Sequence, residues 1–417
     1  MTQTSSGERG IEGEARLRRR DWLLLPLLSL LTIVFLAGGT ELAGRLIFPI
    51  SGNIKQDCMF VDLSTGLRGI PNSECREKEA ESQPVEYRFN GCGHRAGMEC
   101  GPKAPGTYRI AMAGTSFALG LGVAREKTFA ALLPAELSRR TGRKVELYNE
   151  GLLLESPRVV ALRFDELLAA RPDMILWILS YWDIKNVSLL LPTDEITGDE
   201  SPQAFEQGVV APGGSAVSLA EGWFREKEEL VAKRILDTAR GRWHRTRSDV
   251  LLNHLMAECG SQSQYLKRWN IWHDDLGYLG AEPGPARLRH LQEFDSYAAA
   301  IEARARSSGV PIVAVYLPKG PQAALISRGE WPPEIDPYRL DDELRCIIVS
   351  HGGVYLDVLQ EFRLVANPER GYLPVDGHPN ADGHATIAKL LAQALTSGAV
   401  PGLRSGAQPR AALEQGR

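Results

Sequence analysis

Two short motifs, far apart in the chain, carry a hydroxyl, an imidazole and a carboxylate. Ser116 follows Gly-Thr directly after an apolar run at 110–113, which predicts a buried strand ending beside this serine. His378 and Asp376 belong to the stretch Asp-Gly-His-Pro-Asn, just ahead of a predicted helix over 380–395. A serine becomes a nucleophile when a histidine takes its proton and an acid orients that histidine. The motifs therefore predict Ser116 as the nucleophile, His378 as the base and Asp376 as the acid of a serine hydrolase.

A second carboxylate competes for the role of the acid. Asp357 stands near the end of a predicted strand over 354–359, where it also fits the role of a turn or helix-cap residue. Asp376 is favoured because its closeness to His378 along the chain restricts how the two side chains are oriented.

Apolar runs and helical patterns alternate from residue 107 onward, which predicts an α/β fold. We expect a doubly wound, flavodoxin-like parallel sheet of about five strands flanked by helices. The predicted strands cover 108–113, 145–148, 174–179, 311–317 and 354–359, and the predicted helices 128–140, 157–170, 286–308, 336–350 and 380–395.

Residues 185–285 interrupt this alternation, and we expect a helical insertion there. A Gly/Pro/Ser-rich loop is predicted over 201–218 and a charged helix over 219–256. Trp269 and Trp272 follow. An insertion at the carboxyl side of the sheet can overhang a site as a lid or a sugar platform, or it can serve as a helical buttress with its aromatic residues in a local core.

The N-terminus contains a long apolar segment behind a basic one. Residues 1–21 are polar and arginine-rich, whereas 22–39 contain no charge and the helical pattern continues to 47. This length and the preceding arginines predict a transmembrane anchor over 22–47 with a cytoplasmic N-terminus. A cleaved signal peptide is the alternative, because small residues stand near 37–39. Either interpretation exports the rest of the chain.

The cysteines are consistent with an oxidising compartment. Four of the six lie between Cys58 and Cys100, in a stretch that is rich in Gly, Glu and Pro. We expect a disulfide-stabilised linker over 48–105, because this segment has too little apolar periodicity to build a core. The local pairs would be Cys58–Cys75 and Cys92–Cys100, with Cys259–Cys346 or two free thiols remaining.

Bulk composition excludes other classes of function. The net charge of −4 provides no basic field for nucleic acid. The eight histidines do not cluster, and no His/Cys spacing resembles a metal site, so we expect neither a metal nor an organic cofactor.

Over residues 85–397 the sequence resembles the SGNH/GDSL superfamily of serine esterases and acyltransferases. Ser116 occupies the position of the family's nucleophile, and the last block supplies Asp376 and His378. A lead-in over 88–95 is similar to that of membrane-anchored bacterial members. The four blocks correspond, in order, to residues 114–123, 148–151, 172–183 and 376–384.

The departures from the family pattern concern the oxyanion hole. The resemblance implies that the backbone N–H of Ser116 is one donor and that the second-block glycine falls at Leu154. The third-block asparagine falls at Trp182, and Asn186, one helical turn later, is a substitute donor. Thr115 replaces an acidic residue that is not catalytic in the family.

We expect residues 106–400 to form an extracytoplasmic hydrolase domain, followed by a disordered tail over 401–417. The domain would cleave esters of small acyl groups, acetyl above all. Its substrate would be an acyl ester or an acylated carbohydrate. One alternative is an O-acyltransferase acting on cell-envelope polysaccharide. The other is a non-catalytic binding protein, in which Trp182 would fill the pocket and no donors would converge near Ser116.

Overall fold

A computed structural model describes residues 20–62, 65–189, 246–272 and 274–404 of the 417-residue chain. The predicted loop over 201–218 and residues 219–245 of the predicted helix lie outside these ranges. So do residues 1–19 and the tail beyond 404.

A five-stranded parallel sheet forms the centre of the protein, as predicted. Its strands run in the order β6-β5-β7-β8-β9, where β5 and β6 are the first two strands of this sheet along the chain. All four strand pairs are parallel. The chain therefore reverses its winding between β5 and β7, and loops at such a switch point leave a crevice at the carboxyl ends of the strands. The strands are β5 (Thr107–Gly114), β6 (Lys144–Asn149), β7 (Met174–Leu179), β8 (Ile312–Tyr316) and β9 (Val354–Leu356).

Burial explains why these apolar runs form the sheet. Every residue of β5, β7 and β8 is buried, as expected for strands covered on both faces. On β7 the Trp177 ring stacks on Phe294 with ring centroids 5.5 Å apart. Helices α1 to α13 comprise Asp21–Ile47, Ile54–Asp57, Ser116–Leu119, Phe129–Thr141, Pro157–Leu162, Phe164–Ala169, Tyr181–Lys185, Arg247–Cys259, Gln262–Trp272, Pro285–Ser308, Gly320–Arg328, Arg339–Ser350 and Ala381–Thr396.

The helix predicted over 157–170 is interrupted at Arg163, which separates α5 from α6. The Arg163 side chain is fully buried and its Nε donates to Glu155. Its Nη2 donates to the backbone carbonyl of Glu150 at 2.5 Å. A buried charge needs hydrogen-bond partners, and the helix is interrupted at Arg163, the residue that makes these bonds. The helix α11 was not predicted.

Helix α1 contains an apolar segment, Trp22–Ile47, that is long enough to cross a membrane. Its last turns contact the protein. Glu41 Oε2 accepts hydrogen bonds from the backbone N–H and the hydroxyl of Ser248, at 2.9 and 3.0 Å. Phe48 packs on His254, with ring centroids 4.7 Å apart. Both partners belong to α8, so α8 braces the C-terminal end of α1.

The segment after α1 is folded, and the prediction of a core-less linker was wrong for it. It forms two antiparallel hairpins, β1 (Met59–Asp62) with β2 (Gly66–Gly69) and β3 (Glu74–Glu77) with β4 (Val85–Arg88). Their apolar residues pack with Leu119, Leu121 and Leu153 of the hydrolase domain. The hairpins acquire a core because that domain supplies part of it, which periodicity within the segment cannot reveal.

The two local disulfides are formed as predicted, Cys58–Cys75 and Cys92–Cys100. The pair Cys259–Cys346 is not. Both of these cysteines are free and exposed, one at the end of α8 and the other on α12.

We expect Arg163→Met to lower the free energy of unfolding by about 3–5 kcal/mol, because it leaves the Glu155 carboxylate buried without its partner. Arg139→Met is the matched control, since its side chain is 68% exposed in the pair with Glu136 and an exposed ion pair contributes little to stability. Denaturant unfolding of both variants measures the difference. Equal, small losses in the two variants would contradict this account.

Candidate active site

Ser116 lies at the switch point of the sheet, where β5 ends and α3 begins. Gly114 makes the turn possible, because its φ is +146° and a Cβ there would stand 2.6 Å from the Ile178 carbonyl oxygen. Ser116 is the first residue of α3, so its backbone N–H has no partner within the helix. In the described part of the chain, this N–H makes no other hydrogen bond either.

Arg95 holds the other end of α3. Its guanidinium donates to the carbonyls of Leu119 at 3.0 Å, Gly120 at 2.7 Å and Val123 at 2.8 Å. The group is buried and lies 4.4 Å from the centre of the Tyr87 ring. Carbonyls at the C-terminal end of a helix favour a cation, so Arg95 fixes the short helix that presents Ser116. The sequence singled out the lead-in over 88–95 but gave no role for this residue.

The structure brings Ser116, His378 and Asp376 together. His378 Nε2 lies 2.6 Å from Ser116 Oγ. His378 Nδ1 lies 2.5 and 2.9 Å from the two carboxylate oxygens of Asp376. A serine that donates to a histidine, which in turn donates to a carboxylate, is the arrangement that activates a nucleophile.

The electrostatics of the site favour the ion pair of protonated His378 and ionised Asp376. Burial lowers the pKa of His378, but the carboxylate of Asp376 and its hydrogen bond raise it, and the net shift is upward from 6.5. Glu79 adds to this rise and Lys319 opposes it. For Asp376 burial raises the pKa, whereas His378, the hydrogen bond and Lys319 lower it, and the net shift is downward. The Asp376 side chain stays 29% exposed, so its partners outweigh its partial burial.

Glu81, on the turn after β3, supports the loop that carries Asp376. Its carboxylate accepts the backbone N–H of Asp376 at 2.6 Å and that of Val375 at 2.9 Å. His254 Nε2 lies 2.9 Å from the same carboxylate. The Glu81 side chain is only 4% exposed. Glu81 therefore joins the candidate acid to α8 and, through Phe48, to the end of α1. No local pattern marked this residue.

Asp357 does not serve as the acid. Its Oδ1 accepts the backbone N–H of Leu359 at 3.1 Å, and its Oδ2 lies 3.7 Å from Arg345. This carboxylate caps a turn just after β9, which also explains why the strand stops at Leu356 and not at 359 as predicted.

A cavity of about 360 Å³ opens beside Ser116 and His378. Leu154 lies on its wall with φ at +59°, the backbone conformation that a glycine adopts freely and a leucine rarely does. Its N–H makes no hydrogen bond in the described part of the chain. The turn geometry of the second block is therefore kept although its glycine is replaced.

Trp182 and Asn186 line the same cavity and do not fill it. The Trp182 ring lies 4.6 Å from Lys185 Nζ and 4.7 Å from Lys319 Nζ, distances at which an ammonium is attracted to the ring. Neither the Trp182 indole nor the Asn186 amide hydrogen-bonds to another described residue. The side chains of Trp269 and Trp272, the predicted sugar platform, lie outside the described part of the structure.

We expect the acid limb of kcat/KM against pH to have its midpoint above 6.5. The base must be neutral to accept a proton, and the raised pKa of His378 keeps it charged to a higher pH. Asp376→Asn should move this midpoint to lower pH and reduce kcat by roughly 10³–10⁴-fold, the scale known for such acids. Asp357→Asn is the control and should match wild type. A fall of kcat in Asp357→Asn but not in Asp376→Asn would make Asp357 the acid.

We expect Asn186→Ala to reduce kcat by about 10²–10³-fold with little change in KM, the effect of losing one oxyanion donor. Trp182→Phe removes only the indole N–H and keeps the ring, so its loss should be much smaller. Steady-state kinetics on one acetyl ester compare the two. A larger loss in Trp182→Phe would make the indole the donor.

No protein-family model matches the sequence, and no protein of curated function matches it. Among solved structures, the chain is similar to TesA, with 11% identity and a TM-score of 0.34 over 69% of this chain and 97% of that one. It is similar to esterase EstA from Pseudoalteromonas sp., with 10% identity and a TM-score of 0.32 over 69% and 96%. A protein described as a GDSL-like lipase from Parabacteroides merdae gives 11% identity and a TM-score of 0.35 over 69% and 94%.

The assignment of the fold comes from the chain itself. The parallel sheet runs in the order β6-β5-β7-β8-β9, and the four sequence blocks follow one another along it with Ser116 at the switch point. The protein has a doubly wound, five-stranded parallel α/β fold, and the blocks along it resemble those of the SGNH/GDSL hydrolases.

Proposed function

We propose that this protein is a membrane-anchored, extracytoplasmic serine esterase that cleaves small acyl esters through an acyl-Ser116 intermediate. The observation that carries the proposal is the 2.6 Å contact between His378 Nε2 and Ser116 Oγ, with Asp376 on the other ring nitrogen. All three side chains belong to the hydrolase domain, proposed here as residues 106–400.

In the first half of the reaction, His378 accepts the proton of Ser116 as Oγ attacks the ester carbonyl. The carbonyl oxygen becomes an oxyanion, which the N–H groups of Ser116 and Leu154 stabilise, together with the Asn186 amide. The intermediate collapses, His378 gives its proton to the departing alcohol, and the acyl group stays on Ser116. Asp376 holds the imidazolium throughout.

In the second half, a hydroxyl compound enters in place of the alcohol. His378 takes its proton, the new oxygen attacks the acyl carbon, and Ser116 Oγ leaves with the proton. Water as the acceptor gives hydrolysis. A sugar hydroxyl gives O-acyl transfer, the second candidate, and the observation that favours it is that the carboxyl groups of Glu77 and Glu79, which can accept hydrogen bonds from hydroxyls, line the cavity. The cavity of about 360 Å³ accommodates a small acyl group, of which acetyl is the smallest that such esters commonly carry.

Two features support location outside the cytoplasm. The exposed apolar stretch of α1 is long enough to span a bilayer. Disulfides persist in oxidising compartments, and the structure has two of them directly after α1. The basic segment before α1 favours a cytoplasmic N-terminus, and this orientation supports a hydrolase domain on the far side of the membrane.

The test is stoichiometric labelling of the full-length protein in detergent by a fluorophosphonate, beside Ser116→Ala. We expect one label per chain in wild type and none in the variant, because only an activated serine reacts. Ser180→Ala is the matched control, since Ser180 lies at the end of the neighbouring strand β7 and its hydroxyl is bonded to Asp183. p-Nitrophenyl acetate should give a burst with the same dependence.

Absence of labelling in a folded wild-type protein would favour the third interpretation, a binding protein without catalysis. Labelling that persists in Ser116→Ala would place the nucleophile elsewhere. Measuring how much of the acetyl group is released as acetate and how much is transferred to an added sugar then distinguishes hydrolysis from transfer.

A further inference from the structure

One wall of the catalytic cavity does not come from the hydrolase sheet. Glu77, the last residue of β3, and Glu79, two residues later, line the cavity together with Ser116 and His378. The nucleophile therefore faces two carboxyl groups that the catalytic steps above do not use.

Glu77 is 7% exposed and half of its carboxyl group lacks a partner. Its Oε1 accepts the backbone N–H of Ile54 at 3.0 Å. Its Oε2 is buried without a hydrogen bond in the described part of the chain. Burial raises the pKa of Glu77, and the hydrogen bond from Ile54 and the nearby Tyr87 hydroxyl only partly offset the rise. A buried acceptor of this kind calls for a donor.

Glu79 is the more accessible of the two. Its backbone N–H donates to Ser82, but its carboxyl group receives no hydrogen bond from the described residues. Burial above all, with the charges of Asp376, Glu77 and Glu81, raises the pKa of Glu79 to about 7, and His378 opposes the rise. Glu79 is therefore within electrostatic range of both the candidate base and the candidate acid.

The hairpin side of the cavity is acidic. Burial raises the pKa of Glu77 above its usual value, and Lys55 on the lining opposes the rise. Glu155 also lines the cavity, but its charge is paired with the buried Arg163. Lys185 and Lys319 lie beside the Trp182 ring, at 4.6 and 4.7 Å. The carboxyl groups of Glu77 and Glu79 therefore predominate on the hairpin side of the cavity. A second anion brought into this space would be repelled, and a hydroxyl or ammonium group would find acceptors.

We propose that Glu77 and Glu79 form a subsite for the alcohol portion of the substrate, one that accepts a neutral or cationic, hydroxyl-bearing group and rejects an anionic one. This assignment rests on the proposed esterase function and specifies its substrate class. It separates substrates such as O-acylated neutral or amino sugars from acyl carriers with a phosphate near the ester.

The test compares four thioacetates of similar size with the full-length protein in detergent. S-acetyl-2-mercaptoethanol carries a hydroxyl, S-acetylthioglycolate an anion, S-acetylthiocholine a cation and S-ethyl thioacetate none of these. Ellman's reagent detects the thiol released, and a blank without substrate removes the signal of the exposed Cys259 and Cys346. The subsite is tested by the hydroxyl-to-anion ratio, which is kcat/KM for S-acetyl-2-mercaptoethanol divided by kcat/KM for S-acetylthioglycolate.

We expect this ratio to be roughly tenfold or more, since a unit charge at the distance of a lining residue changes binding by at least that factor. Glu79→Gln should bring the ratio close to one. Glu86→Gln removes the same charge from β4, where Glu86 is half-exposed and pairs with Arg88, and it should leave the ratio unchanged. The hydroxyl and choline esters, each compared with the ethyl ester, show whether a hydroxyl or a cation is preferred.

A pH series gives a second measurement on the unmodified protein. Glu79 gains its charge as the pH rises through about 7. The hydroxyl-to-anion ratio should therefore increase between pH 6 and pH 8. Titration of His378 affects all four esters alike and cancels in the ratio.

Ester turnover with equal rates for the hydroxyl and anionic esters would overturn the subsite while leaving the esterase intact. A ratio that Glu79→Gln does not reduce would overturn it too. If wild type turns over none of the esters and Ser116 is not labelled by the fluorophosphonate, the proposed function itself fails. Fluorophosphonate labelling of Glu79→Gln reports the fraction of that variant that is folded.

Discussion

The buried pair of Glu155 and Arg163 is the constraint on which the active-site region depends. Glu155 Oε2 accepts the N–H of Gly114 at 2.8 Å, and Arg163 donates to Glu155 and to the Glu150 carbonyl. These bonds fasten the turn before the nucleophile to the loop that carries Leu154. Neither charge can move without exposing the other to an apolar interior, which makes the arrangement stiff. The same pair interrupts the helix at Arg163, so a regular helix is lost where the cavity wall is held in place.

Much of the sheet could be predicted from the sequence because its strands are buried on both faces and form apolar runs between loops. The meeting of Ser116, His378 and Asp376 was also predictable, since each stands at the end of a strand or ahead of a helix in a recognisable motif. Asp357 shows the limit of such reasoning. Only the fold reveals that its carboxylate turns back to the N–H of Leu359.

The residues that sequence reasoning missed are those whose partners are distant in the chain. Glu81 contacts backbone groups almost three hundred positions away, and Arg95 reaches carbonyls beyond the nucleophile. Neither has a local pattern, because their role exists only once the hairpins pack on the hydrolase domain. Leu154 was identified as a departure from the family pattern. Its positive φ shows that the backbone path is preserved at the expense of a strained residue.

The hairpins after α1 thus form part of the cavity wall rather than a spacer. They supply Glu77, Glu79 and Glu81, and a disulfide joins Cys75 on β3 to Cys58. The cavity is composite, with a catalytic side from the sheet and a second side from a segment that lacks its own complete core. Inserting or deleting residues between α1 and the hydrolase domain would therefore disturb the site itself.

The position of Ile54 sets how far the cavity can lie from α1. Ile54, in the cavity wall, stands seven positions after Ile47 at the end of α1, and seven extended residues span at most about 25 Å. For a chain held in a bilayer by α1, the cavity works within a shallow layer over the membrane. Its encounter rate is set by the number of ester groups per unit area of that layer and not by their bulk concentration. For the proposed esterase, ester groups close to the membrane would be cleaved and those farther out would not.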